Sequence, residues 1–473
     1  MNQIKIWNDL CDFLEYIVPK YPLLFGTRQI LYSTKIKKIS LKEHVFIHML
    51  YMYSKRKTTD KDVLFDSKII YYINSPSVAS IKQAQSLMHF MKNNGMIDNL
   101  VFIVSFQIQE CHPKWIQELE TNKIQWINQE STPVYNSIFK LLHFSVESFL
   151  LTFKLKKMLN KNELNKNIIF NFNKISSCIF QDLVVWNSTK YLLETYGIPK
   201  TLISASDMVP CSHAVHALFS SLNIPNYVYQ HGMLGLLQSR HHPKTKAIVW
   251  GKRHSEYLKK IKITNETKII GSLRLKNNIK KDVIFNNKKE KKILLLPGGL
   301  DSIDRIITKE YLESYEKGLK LIVEELSKTS KVILRLRPDG IISNYWNEII
   351  KINNIILSNN KLSLNEEIEN ADICLTDFST TGYESMLLGK PTLFYFPYPA
   401  EYINVIGICV SEQTYSDVKD IIDTVNNLAT CKDYYDAFMI KQSEIVSNLF
   451  VSNDEKNKRL FTFLMENIND TQE

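Results

Sequence analysis

Three consecutive hydroxyl residues, Ser379, Thr380 and Thr381, stand between Asp377 and Glu384, with Gly382 inside the same stretch. An apolar run at 371–376 precedes them, and a second at 392–396 follows Gly389-Lys390-Pro391. That order predicts a turn at the carboxyl end of a strand that opens a helix. In an open α/β sheet such turns are where ligands bind. The unpaired N–H groups and dipole of a helix start favour an anion such as a phosphate, and the hydroxyls would add donors. Glu384 has two readings. It lies three residues after Thr381, which fits a capping box, or it faces a ligand, as the close backbone approach permitted by Gly382 suggests.

A second set of candidates lies upstream. His231 sits between Gln230 and Gly232 after the apolar run 227–229. A neutral imidazole facing a cleft there could take a proton from a hydroxyl, or could simply hydrogen-bond a loop. Asp207 follows the run 201–205. It is the rival base, the partner that orients His231, or a helix-initiating Asp. Gln230, Gly232, Arg240, His241, His242 and Arg274 are candidate contacts to an acceptor or a phosphate. Gly298 and Gly299 follow the run 293–296 and would let backbone N–H groups approach a phosphate, or make a plain turn. Arg335 and Arg337 share one face of a predicted strand. They pair with local carboxylates or with an anion, and Arg337, nearer the strand end, is the better phosphate ligand. Cys211, His213 and His216 are ligand-type residues, but no second pair lies nearby in sequence. They read by default as helix residues, with a zinc site as the minor alternative. No metal and no cofactor is expected.

These side chains need a scaffold, and 473 residues suffice for two or three domains with real cores. Residues 1–60 show apolar residues at helical spacing. Strand patterns follow at 63–65, 69–73 and 100–104, with a helix from Ser77 through Met91. Helices at 182–196 and 210–222 then alternate with strands at 201–205, 227–229, 247–250 and 268–271. The polar, Lys- and Asn-rich stretch 276–292 reads as a linker. Beyond it come strands at 293–296, 332–337, 354–357, 371–376 and 392–396. Helices are expected at 309–327, 417–428 and 433–467. The alternation predicts an α/β protein with two parallel-sheet units and a cleft between them. The domains are then 1–275, with 1–60 as a helical extension, and 293–435. Helices in 436–473 would pack back toward the first.

Composition narrows the partners. Hydrophobic residues make up 44% and charged residues 23%, which is ordinary for a globular protein. The net charge is +10, with lysine clusters at 35–38, 154–157 and 288–292. Singly these are solvated surface; together they suit polyanions or anionic lipid. No zinc-finger, basic-zipper or RNA-recognition signature is present, so no nucleic-acid partner is expected. Seven scattered cysteines without C-x-x-C spacing point to buried thiols in a reducing compartment. Residues 1–9 carry no signal-peptide pattern, and no run approaches the ~18 apolar residues of a membrane span. The greasiest helix, 138–153, is interrupted by Lys140, His143, Ser145, Glu147 and Ser148. The expectation is a cytoplasmic protein.

Three features in this order resemble bacterial glycosyltransferases of the GT-B class that build surface polysaccharides. The first is Gln230-His231-Gly232 with Val249-Trp250-Gly251 and Gly271-Ser272-Leu273-Arg274. The second is Arg335-Leu336-Arg337-Pro338, where several related families, including CDP-glycerol glycerophosphotransferases and Kdo/sialic acid transferases, carry His-Pro. The third is 377–391. They span roughly residues 200–400. The resemblance implies two Rossmann-like domains facing across a cleft, with extra N- and C-terminal helices. It implies a nucleotide-sugar donor, with a CMP-sugar among the options, and a glycan or lipid-linked glycan acceptor. It implies chemistry without a bound metal. The basic patches, for their part, could dock the protein peripherally on the cytoplasmic face of the inner membrane, near a lipid-linked acceptor. The resemblance places Glu384 on the donor ribose, with Gly298, Gly299, Arg337, Asp377, Ser379, Thr380 and Thr381 around the donor phosphates. The alternatives are a CDP-polyol phosphotransferase of teichoic-acid type, a nucleotide-sugar epimerase and a non-catalytic glycan-assembly protein.

Overall fold

The computed structural model of the protein describes residues 3–28, 31, 63–66, 68–75, 77–164, 168, 170–207, 211–232, 239–263, 265–275, 285, 290–298, 309–336, 344–377, 379–398 and 410–469. The expected helical pattern at 32–60 and most of the expected linker lie outside these residues.

The first sheet contains β1 (Ile69–Ile73), β2 (Leu100–Val104), β3 (Gln125–Asn128), β4 (Thr201–Ser204), β5 (Asn226–Tyr229), β6 (Lys246–Val249) and β7 (Thr267–Ile269). Around it lie α1 (Gln3–Ile17), α2 (Val78–Asn93), α3 (Phe106–Cys111), α4 (Pro113–Thr121), α5 (Pro133–Asn136), α6 (Ile138–Lys161), α7 (Phe172–Tyr196), α8 (Ser212–Ser221) and α9 (Lys252–Lys260). The second sheet contains β8 (Lys291–Leu296), β9 (Ser330–Leu334), β10 (Ile355–Leu357), β11 (Ile373–Thr376), β12 (Thr392–Tyr395) and β13 (Thr414–Tyr415). With it come α10 (Lys309–Leu326), α11 (Asn344–Ile350), α12 (Leu364–Asn370), α13 (Thr380–Leu387), α14 (Val418–Thr430), α15 (Lys432–Leu449) and α16 (Asn453–Asn469).

Every strand pairing among the described residues is parallel. The orders are β3-β2-β1-β4-β5-β6-β7 and β10-β9-β8-β11-β12-β13. Each sheet therefore reverses its winding once, between β1 and β4 and between β8 and β11. These are doubly wound, Rossmann-like sheets, and each reversal leaves a crevice at the strands' carboxyl ends. The molecule has the GT-B type of architecture.

Helices on both faces explain why the inner strands are apolar throughout. In β1, Ile70 and Tyr72 belong to the same buried cluster as Leu10 of α1 and Val184 of α7, while Ile69 and Tyr71 belong to a second cluster with Leu87 of α2. Alternate residues point to opposite faces, so both must be greasy. Helix starts follow from short polar caps: Ser77 accepts from the Ser80 N–H, and Asn171 from the Lys174 N–H.

The chain crosses back at its end. The Gln442 side chain of α15 bonds the backbone of Thr392 and Lys390 in the second domain, at 3.0 and 2.8 Å. α16 instead lies on the first sheet. Phe463 meets Tyr227 edge-on at 4.9 Å, and Arg459 donates to the Ile269 carbonyl at 3.0 Å. Between the two helices Phe450 stacks on Trp250 at 5.5 Å, and the Val451 N–H donates to the Trp250 carbonyl at 3.1 Å.

Some expectations were wrong in detail. Residues 63–65 form no strand; Phe65 is buried, and its N–H bonds the Tyr196 carbonyl at the end of α7. Its apolar character reflects burial without sheet pairing. β9 ends at Leu334, so Arg335 lies beyond the strand. β8 begins at Lys291, inside the expected linker. β3 escaped notice because it is an edge strand and carries Gln125 and Asn128.

Gly251 is required at the crossing. A Cβ there would lie 2.3 Å from the Leu449 carbonyl oxygen, a backbone atom that cannot swing away. Gly251→Ala is expected to lower stability by about 1–3 kcal/mol in urea unfolding.

Candidate active site

At the second sheet's reversal, Asp377 follows β11 and is buried. Its Oδ1 accepts the Gly298 N–H at 2.7 Å, and its Oδ2 accepts the Tyr315 hydroxyl at 3.0 Å. One residue earlier, the Thr376 hydroxyl donates to the Leu296 carbonyl at 2.7 Å. Asp377 thus ties the ends of β8 and β11 together. The expected phosphate roles of Asp377 and of the Gly298 N–H do not match this geometry, because each group already satisfies the other. Burial and the Asp377 charge push the Tyr315 hydroxyl well above its usual pKa. Arg335 pairs with Glu367 at 2.7 Å, the local-carboxylate alternative. Gly299 and Arg337 lie outside the described residues.

The turn into α13 is capped by Ser379, whose Oγ accepts the Thr381 N–H at 3.3 Å and the Thr381 hydroxyl at 2.8 Å. The cap is therefore two residues earlier than a Thr381–Glu384 capping box requires, and that reading of Glu384 is removed. Gly382 also has a different reason from the expected one. A Cβ there would lie 2.5 Å from Phe394 and 2.7 Å from Thr376. The close approach is of helix to sheet, not of backbone to ligand.

Glu384, one turn on, reaches the other domain. Its carboxylate meets Arg274 Nη2 at 3.2 Å, with side-chain exposures of only 14% and 18%. Burial raises the Glu384 pKa, and the charges of Arg274 and of Lys82 on α2 pull it back in part. Arg274 Nε is buried and has no hydrogen-bond partner among the described residues.

The loop after β5 closes the site. A Cβ on Gly232 would lie 3.6 Å from the Thr380 hydroxyl, so the His231-Gly232 loop abuts the turn into α13. His231 is half-buried. Burial lowers its pKa, the Ala205 carbonyl opposes that, and the Arg274 charge lowers it further. Its imidazole is therefore held neutral near pH 7. Gln230 shapes this loop. Its Oε1 accepts the Trp250 N–H at 2.9 Å, its Nε2 donates to the Gly232 carbonyl at 2.9 Å, and its own carbonyl accepts the Trp250 indole N–H at 2.8 Å. With its amide so engaged, Gln230 is a positioning residue and not the ligand contact expected.

Other candidates lie deeper. Asp207 is fully buried, 3.5 Å from Arg28. It accepts from His241 Nδ1 at 2.7 Å and from the His242 N–H at 2.9 Å. Burial alone would raise its pKa, but His241 and Arg28 outweigh that and hold it well below 3.8. The ring it orients is His241, and no face of its carboxylate is open to act as a base. Arg240 pairs with Asp12 and, at 2.7 Å, with Glu15 of α1, so it anchors the N-terminal helix and its charge is already met. His213 Nε2 lies 3.0 Å from the Pro22 carbonyl. The two ring nitrogens of His216 meet Ser204 at 2.7 Å and Asn226 at 3.0 Å. His216 is thus a satisfied helix residue, whereas His213 Nδ1 is buried with no hydrogen-bond partner among the described residues; no metal-ligating cluster occurs among those residues.

Arg28 and Lys82 were not anticipated. Neither sits in a motif, and only folding brings them near residues 150 or more positions away. Of the anticipated residues, Gly232, Thr380, Arg274, Glu384 and His231 converge. They come from the ends of β5 and β7 and from the start of α13. The set offers a helix start with hydroxyls, a cation with an unengaged donor, and a neutral imidazole.

No family model matches the chain, and no curated protein matches it. Solved structures do. UDP-GlcNAc 2-epimerase from Neisseria meningitidis, bound to UDP-GlcNAc, is 12% identical, covers 84% of this chain and 99% of its own, and has a TM-score of 0.46. The glycotransferase of kitacinnamycin is 11% identical over 85% of this chain and 98% of its own, with a TM-score of 0.48. A spinosyn rhamnosyltransferase is 10% identical over 84% of this chain and 100% of its own, with a TM-score of 0.45.

Asp207→Ala is expected to lose about 3–5 kcal/mol at pH 7 in urea unfolding, because it leaves Arg28 buried and unpaired. The folded-state pKa of Asp207 lies below its unfolded value, so its contribution is present above pH 3.8 and fades as pH falls through the folded value. The gap between variant and wild type should therefore narrow in acid.

Proposed function

We propose that the protein is a glycosyltransferase that moves a sugar from a nucleotide-activated donor to a growing surface glycan. The observation that carries this reading is Arg274. Its side chain is 18% exposed at the domain junction beside His231 and the turn into α13, and its buried Nε has no hydrogen-bond partner among the described residues. A buried guanidinium donor without a partner is costly, and an anionic ligand would satisfy it.

In this reading the second domain holds the donor. Thr380 gives its hydroxyl to the nucleotide phosphates, backed by the α13 dipole, and Thr381 joins it on exchanging its bond to Ser379 Oγ for one to phosphate. Arg274 neutralises charge as it builds on the leaving phosphate, which is how such a site works without a metal. Glu384 keeps its pair with Arg274 through Oε1 and offers its other carboxylate oxygen to the ribose hydroxyls. His231, neutral and facing the first domain, takes the proton of the acceptor hydroxyl as the new bond forms to the anomeric carbon. The nucleotide leaves with the electrons of the broken C–O bond. A CMP-sugar donor and a lipid-linked acceptor at the cytoplasmic face of the inner membrane belong to this proposal through the family resemblance.

The direct test is a thermal-shift screen of CMP, CDP, UDP, GDP and their sugar conjugates. A ligand at 100 times its Kd stabilises by about 2.7 kcal/mol, so one nucleotide should stand out, and Arg274→Ala should abolish its shift. No shift with any nucleotide would remove the reading. With the donor identified, His231→Gln is expected to lower kcat about 10²–10⁴-fold while donor binding persists. Because the His231 pKa is depressed, the acidic limb of the wild-type pH–rate profile should lie below pH 6.5. Turnover of donor without acceptor would favour an epimerase.

A further inference from the structure

α6 was read from sequence as an interrupted apolar helix, and its outer face is apolar too. Leu141, Phe144, Ser148, Thr152, Leu155 and Leu159 face inward and are buried. Ile138, Phe139, Leu142, Val146, Leu150 and Phe153 are 54–82% exposed. From Phe139 to Phe153 the steps are three or four residues, which places them along one side of the helix. Six large apolar side chains on one solvent-facing stripe need a partner.

The charge around the stripe indicates which partner. Lys154, Lys156, Lys157 and Lys161 crowd its C-terminal end, Lys140 lies near its start, and Glu147 is the one acid within the helix. A cavity of about 790 Å³ opens beside it, lined in part by Lys20, Lys140, Lys190, Trp186 and Tyr191. A second copy pairing through α6 would bring lysines together with only Glu147 to offset them. An anionic surface complements them. No helix among the described residues is long and apolar enough to cross a membrane. A helix of this kind instead lies in the interface plane, apolar stripe inward, with Lys, Trp and Tyr at the headgroup level.

We propose that the α6 stripe and its lysines dock the protein on an anionic lipid bilayer. The helix is 24 residues long, about 36 Å at 1.5 Å per residue, so the stripe provides an extended contact. The lysine end attracts the charged surface through the first Debye length, and insertion of the apolar side chains then holds it there. This surface is formed by α6 alone and does not rest on the transferase reading of the cleft.

The test is co-sedimentation of the full chain with vesicles of phosphatidylcholine alone and with 30% phosphatidylglycerol, the composition being a choice of about one anionic lipid in three. Binding should be at least about tenfold tighter with phosphatidylglycerol and should weaken with salt. The triple variant Phe139→Ser, Leu142→Ser, Leu150→Ser changes only exposed side chains, so it should melt like wild type and lose binding. Lys156→Glu with Lys157→Glu should lose the preference for anionic lipid. Three results would overturn the proposal. One is binding unchanged in the triple variant. Another is a solution dimer that the triple variant dissolves, which would make a second copy the occupant. The third is absence of binding to vesicles of either composition. Nucleotide shifts measured on the same variants keep a failed cleft and a failed docking surface apart.

Discussion

The ion pair between Arg274 and Glu384 is the constraint on which the candidate site depends. One partner ends the loop after β7 in the first sheet, and the other lies in the helix at the reversal of the second. Other contacts across the same junction include the ion pair of Arg253 with Glu412 and the edge-on approach of His254 to Tyr383 at 6.1 Å. A partly buried Arg–Glu pair has little net stability to offer, since desolvation offsets much of its attraction. It does fix register. With Glu384 on Arg274, the Gly232 loop comes against Thr380, and His231 and the start of α13 share one space. The crossing at Trp250, Phe450 and Val451 supplies a second, apolar hold at the back of the same junction.

Polar side chains behind the cleft set its shape. Asp377 joins the two reversal strands of the second sheet, Gln230 folds the His231 loop onto Trp250, and Asp207 joins His241 to Arg28. Each is buried with its hydrogen-bonding capacity met by protein groups, as a buried polar group must be. The groups closer to the opening are those with capacity left. Asp182 extends this frame behind the loop at Cys211, which has φ 77 and donates its N–H to Asp182 Oδ1 at 2.7 Å. Burial raises the Asp182 pKa to about 7, so the frame holds an acid that is protonated far more readily than a surface carboxyl.

Much of the architecture was legible from residue pattern alone. Strands such as 69–73 and 100–104 are short, uninterrupted apolar runs, and helices between them carry clear caps at Ser77 and Gly95, so the parallel alternation stood out. The turn at 379–381 was legible for the same reason. Residue type was a poorer guide to role. Asp377, Asp207, Gln230 and Arg240 carry chemical groups that could serve catalysis, and sequence gives no view of the Gly298 N–H, Arg28, Trp250 or Glu15 that engage them. Gly382 shows the same limit, since its missing Cβ makes room for Phe394 and not for a ligand. No helix among the described residues is long and apolar enough to cross a membrane, in line with reading α6 as an interrupted apolar helix; what the residue pattern did not show is the second apolar stripe on its outer face.

The central claim is that the α13 turn and His231 border one anion site. A crystal structure with the nucleotide selected by thermal shift tests it most directly. The account predicts phosphate oxygens within about 3 Å of the Thr380 or Thr381 hydroxyl and of Arg274 Nε, with His231 on the far side of the sugar. A nucleotide lodged instead beside Trp186 and Tyr191, or anywhere out of reach of Arg274, would contradict it.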